Sequence, residues 1–112
     1  MGLDPGRMTM NRPAATATQQ LETADVRVTR WDFPPGAETG HHRHEYDYVV
    51  VPVTGGALTI EIKDDEGSVT ATDAELTIGD SYNRGAGVEH NVVNNGDELV
   101  AFVEVELLQR PG

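Results

Sequence analysis

A chain of 112 residues is long enough for one domain and too short for two. It has no cysteine, so disulfides and thiolate metal ligands are excluded, and 19 acidic residues against 8 basic ones give a formal charge of −11 that repels nucleic-acid phosphates and anionic lipid. No apolar run approaches the ~20 residues needed to cross a bilayer, and the first residues lack the layout of a secretory signal. The expectation is a soluble, cytoplasmic protein with neither nucleic acid nor membrane as partner.

Residues 1–20 read as a flexible leader. They hold Pro5, Pro13 and the run Ala14-Ala15-Thr16-Ala17-Thr18, with almost no large apolar side chain. A short helix near Ala14–Thr23 is the alternative there. Residues 21–112 then form a single domain. From Asp25 onward the texture is β. Val26 to Trp31 predicts a strand, ended by Phe33-Pro34-Pro35-Gly36. Tyr48 to Val53 predicts a second, closed by Gly55-Gly56. Leu58, Ile60 and Ile62 alternate with Thr59, Glu61 and Lys63, as in a half-buried strand. Asp64-Asp65-Glu66-Gly67 turns the chain into Ser68–Thr72, and Leu76-Thr77-Ile78 precedes a turn at Gly79-Asp80. Asn94-Asn95-Gly96-Asp97 reads as a hairpin turn. The last strand runs from Leu99 to Leu107, with Val103, Val105 and Leu107 alternating with Glu104 and Glu106. Roughly seven to nine short strands at regular spacing predict an all-β sandwich or closed barrel.

The chemistry sits on histidines. In His42-Arg43-His44 the two imidazoles are two residues apart, so on an extended strand both face one point. Neutral imidazole ligates zinc, iron, nickel and copper. A third histidine, His90, lies 46 positions beyond His44 in a second β segment, and only a closed sheet brings the two segments together. His41 has the opposite parity and is expected in solvent. Tyr46 shares the parity of the pair, provided that no turn after His44 breaks the register. Tyr82 and Arg84 sit two apart; an inward Arg84 suits an anionic substrate, and a surface arginine is the other reading. Glu89 points away from His90, Glu104 and Glu106 fit an exposed face, and Trp31 and Phe102 fit the core.

At these residues the chain resembles the cupin superfamily. The family's first motif has the form G-x5-H-x-H-x3,4-E-x6-G, and here Gly36, His42, His44 and Gly55 fall in place. The second, G-x5-P-x-G-x2-H-x3-N, is met by Gly79, Gly87, His90 and Asn94, with Gly85 where the family has proline. The family's glutamate ligand is replaced by Tyr48 or Val49, depending on the spacer. Glu45 and Asp47 lie nearby at non-matching spacing.

The resemblance implies a double-stranded β-helix, a jelly-roll-like β-barrel, holding one divalent metal ion (iron, zinc, manganese or nickel) on His42, His44 and His90. It also implies a homodimer formed through an edge strand or sheet face, and a small-molecule ligand or substrate. Three-histidine cupins include non-haem iron dioxygenases, so a metal-dependent enzyme is the leading expectation. Tyr48 then positions a proton or a water. A non-catalytic module that binds a small ligand or metal is the rival. The run His42 to Pro52 is also similar to small cupins associated with β-alanine degradation, which turns the expected substrate toward small amino or carboxylic acids.

Overall fold

The computed structural model describes residues 12–108. Nine strands follow one another in chain order: β1 (Thr16–Glu22), β2 (Val26–Phe33), β3 (His42–Arg43), β4 (Tyr48–Pro52), β5 (Gly56–Lys63), β6 (Val69–Leu76), β7 (Tyr82–Arg84), β8 (Glu89–Val93) and β9 (Val100–Leu107). No helix occurs among the described residues. The strands form two sheets, in the orders β1-β2-β9-β4-β7 and β3-β8-β5-β6, and every strand pair is antiparallel. This is the all-β double-stranded β-helix that the sequence predicts.

Two expectations are corrected. Thr16–Glu22 is neither leader nor helix but β1, an exposed edge strand laid against β2. Its β-branched threonines and a register irregularity between Gln19 and Leu21 suit an edge, where extension is cheap and pairing is one-sided. The rest of the expected leader, residues 1–11, lies outside the described residues. The second correction concerns Asn94-Asn95-Gly96-Asp97. This segment does not join a hairpin, because β8 belongs to the four-stranded sheet and β9 to the five-stranded one. Asn94 is fully buried and its amide decides the path: Nδ2 donates to Phe33 O and Glu98 O, both at 2.8 Å, while Oδ1 accepts from Gly96 N at 2.9 Å. The turn residues thus carry the chain between sheets.

Elsewhere local chemistry sets the turns. Asp64 Oδ1 accepts from Glu66 N and Ser68 N at 2.9 and 2.8 Å, and Gly67 supplies the positive φ of 88° that closes the β5–β6 hairpin. Between the sheets, Phe33 stacks on Phe102 at 5.7 Å, with Leu58, Leu76, Val92 and Val100 around them. Burying each large side chain of this set contributes about 1.5–3 kcal/mol. Leu58, Val92 and Phe102 of this cluster also line the cavity that holds the histidines.

Register decides what faces the interior. Trp31 lies opposite Phe102, Thr29 opposite Glu104, and Val50 opposite Glu104 from the other side. Phe102 and Glu104 therefore point inward. Val103 and Val105 point outward, beside Val28, Val49 and Val51.

Candidate metal centre

β3 and β8 pair so that His42 lies directly opposite His90. The chain then leaves the strand, but His44 N still donates to Val88 O at 2.8 Å and Gly87 N to His44 O at 2.7 Å. His44 is thereby held at the spacing that returns its ring to the face of His42. The three Nε2 atoms converge: His42 to His44 at 3.0 Å, His44 to His90 at 3.2 Å, and all ligand atoms within 4.8 Å of one another. All three predicted ligands meet.

Tautomers follow from the partners. His42 Nδ1 lies 2.9 Å from Gly40 O, to which it can only donate, and this leaves the Nε2 lone pair free. Burial, then the charge of His42, pushes both His44 and His90 down to about 4. At neutral pH these two imidazoles are uncharged and able to ligate. The donor set fits a divalent ion. Nitrogens 3.0 and 3.2 Å apart and each ~2.1 Å from a shared ion subtend about 90–100°, an angle that ordinary coordination accepts. Without a cation, converging lone pairs repel.

A chain of hydrogen bonds stands behind His42. Gly40 N donates to Asn91 Oδ1 at 2.9 Å, and buried Asn91 gives its Nδ2 to Glu38 at 2.8 Å and to Glu61 at 3.1 Å. Arg12 grips both carboxylates, at 3.2 and 3.3 Å. Hydrogen bonding from Arg12 holds the Glu61 carboxyl below its ordinary value. A residue of the expected leader thus ends a network that begins at His42.

The histidines form one wall of a cavity of about 450 Å³, shared with Trp31, Tyr48, Ile60, Tyr82, Arg84, Phe102 and Glu104. Tyr48 is buried and stacks on His44, with ring centroids 3.9 Å apart. Burial, then the nearby Glu104, pushes its phenol up to about 12. Glu45 and Asp47, the carboxylates near the missing glutamate, are exposed, and Asp47 Oδ1 is taken up by Ala86 N at 2.8 Å. Tyr46 lies off the cavity, on the outer rim under the Arg27 guanidinium. His41 and Glu89 are exposed, as expected. Arg84 is exposed yet lines the cavity, so both readings of it hold in part.

Glu104 is a correction. It is only 8% exposed and points inward, where an outward position was expected. Its Oε2 lies 3.9 Å from His44 Nδ1, near enough to feel the ring and too far for a hydrogen bond. Burial, then repulsion from Glu106, raises its carboxyl to about 7. Trp31 Nε1 faces it without reaching hydrogen-bond geometry, and is the one buried side-chain polar atom among the described residues that lacks a partner.

Two facing antiparallel sheets with three inward histidines from two distant motifs define a cupin. The cupin domain family matches residues 29–106, and the chain belongs to it. It is 50% identical over 96 residues to the β-alanine degradation protein BauB of Pseudomonas aeruginosa, covering 86% of this chain and 96% of that protein. The crystal structure of a cupin domain from Bordetella pertussis Tohama I superposes with a TM-score of 0.78 at 50% identity, covering 88% of this chain and 97% of that one. Oxalate oxidase in complex with glycolate gives a TM-score of 0.64 at 19% identity, over 93% of this chain and 56% of its own. At that identity the likeness is one of fold alone.

Proposed function

We propose that the chain is a metal-dependent enzyme acting on a small polar molecule, with an iron-dependent dioxygenase reaction as the favoured type. The observation that carries this is a set of three converging imidazoles, without a carboxylate among them, on the wall of a cavity of about 450 Å³. Three neutral ligands leave the full charge of the ion and its remaining positions to the cavity side. The bound ion supplies Lewis acidity and, as iron, redox chemistry towards dioxygen. The chain's own side chains do the rest. His42, His44 and His90 hold the ion; Trp31, Ile60 and Phe102 keep the walls dry. Tyr48 keeps its proton at neutral pH and positions a proton or a water. Glu104, raised to about 7, takes up or releases a proton at its carboxylate near neutrality. The name of the 50% identical BauB supports a small amino or carboxylic acid as substrate. A homodimer is supported by the outward valines Val28, Val49, Val51, Val103 and Val105, an apolar sheet face that a second copy would cover.

The test is elemental analysis of protein purified without a metal-affinity tag, beside a His42→Ala/His90→Ala variant, followed by oxygen uptake. Near-stoichiometric metal in the wild type, lost in the variant, and oxygen consumed with a small thiol, diketone or acid are expected. Metal without turnover on any of these would leave a non-catalytic binding module. No metal after reconstitution with iron, zinc, manganese and nickel would overturn the proposal.

A further inference from the structure

We infer that the cavity takes its ligand by a carboxylate, anchored on Arg84, in a short molecule whose other end meets the histidines; the second half of this statement rests on the metal-centre reading above. Arg84 ends β7 directly opposite Tyr48 on β4. Residues opposite each other in an antiparallel pair project to the same side of the sheet. Tyr48 projects inward onto His44, so Arg84 shares that inner face one strand further out, at the cavity wall. It is the only arginine or lysine on that wall among the described residues.

The surroundings prepare it for an anion. Its guanidinium lies over the ring of Tyr82, 4.7 Å from the centroid, which fixes the plane of the fork and leaves its N–H edges to a ligand. In a chain with 19 acids and 8 bases, cations find partners readily. Arg12 holds Glu38 and Glu61, Arg27 holds Glu22 and Glu106, and Arg30 holds Asp32, while among the described residues Arg43, Lys63 and Arg84 hold none, and of these three only Arg84 lines the cavity. Arg84 has no carboxylate within 4 Å among the described residues. Of the acids that share its wall, Asp73 accepts from Thr59 Oγ1 at 2.9 Å, and Glu104 lies 3.9 Å from His44 Nδ1, and neither is within 4 Å of Arg84. A planar cation on the cavity wall, stacked on Tyr82 on one side and without a carboxylate at its edge, matches the bidentate geometry of a carboxylate.

The remaining wall sets the class. Ile60, Val92 and Phe102 line the same cavity as the cation and the histidines. They offer only apolar contact to the middle of the ligand. A short aliphatic acid with a nitrogen, oxygen or sulfur donor at its far end meets all three regions at once.

The experiment is calorimetric titration of the zinc-loaded full chain with three- to five-carbon acids bearing an amine, hydroxyl or thiol at the far end, each beside its carboxamide. Wild type, Arg84→Gln and Arg84→Lys are compared, with metal content measured in the same samples. At least one acid should bind the wild type tenfold or more tighter than its amide. Arg84→Gln should bring that acid down to the amide, with metal content and amide affinity unchanged, and Arg84→Lys should restore part of the difference. Equal binding of acids and amides by the wild type, an unchanged ratio in Arg84→Gln, or no binding of any acid would overturn the inference. A wild type that holds no zinc yet still selects acids through Arg84 would sink the metal-centre reading and leave the anchor standing.

Discussion

Replacing Glu104 by glutamine in metal-free protein isolates the cost of a buried carboxylate. The folded carboxyl titrates at about 7 where an ordinary glutamate has 4.5, chiefly because of burial. A raised folded value means that the native state holds a proton that the unfolded chain has released. The associated stability is complete below pH 4.5 and is lost as pH rises through 7. Each pH unit in that window costs about 1.4 kcal/mol, so the wild type gives up about 3 kcal/mol by pH 8. Glutamine keeps the shape and never ionises. Its advantage over the wild type should therefore grow between pH 5 and pH 8 by about 3 kcal/mol, roughly 10 °C or more in Tm for a domain of this size. Thermal melts at matched ionic strength, in the presence of a chelator, measure it directly. Comparison at equal pH cancels the titration of groups remote from position 104, and His44, 3.9 Å away, is lowered to about 4, below the window compared. Parallel wild-type and variant curves would show a solvated, ordinary carboxylate at position 104 and refute the argument.

The hydrogen-bond chain behind His42 makes a separable prediction. Arg12→Gln should loosen Glu38, Glu61 and Asn91, and weaken metal affinity by about tenfold in competition with a chromophoric chelator. The same substitution in a His42→Ala background should change affinity little; an equal loss in both backgrounds would mean general destabilisation instead. At the crossover between the sheets, Asn94→Ala leaves the buried Phe33 carbonyl and the part-buried Glu98 carbonyl without their donor. It should cost about 2–4 kcal/mol in urea unfolding, and a loss below 1 kcal/mol would show that water replaces the amide.

The three converging histidines were legible in the sequence because their residue type and spacing together single them out. His42 and His44 share a face by strand parity alone, and His90 needed only a sheet that closes, which the run of short strands announced. Three other features depended on contacts between distant segments. Thr16–Glu22 carries no apolar stripe of its own and becomes a strand only by pairing with β2. Asn94-Asn95-Gly96-Asp97 has the residues of a hairpin, and the buried amide of Asn94, bonded to Phe33 and Glu98, sends the chain to the other sheet. Asn91 looks like any polar strand residue until Glu38, Gly40 and Glu61 surround it.

Glu104 is more instructive than these three, because its strand was placed correctly and its direction was not. Alternation along β9 establishes which residues share a face. It does not say which face is inside. The ordinary rule places valine inward and glutamate outward, and it holds where the interior is wholly apolar. Here Thr29 and Val50 flank Glu104 on the inner face, while Val28, Val49, Val51, Val103 and Val105 look out. A half-exposed apolar outer face is costly, and so is a carboxylate buried near His44. Both costs arise from the same strand in the same register. They are accounted for together if the barrel centre must stay polar for chemistry and the valine face is covered by a second copy. The reversed polarity of β9 is thus a mark of the site, readable once the register with β2 and β4 is known.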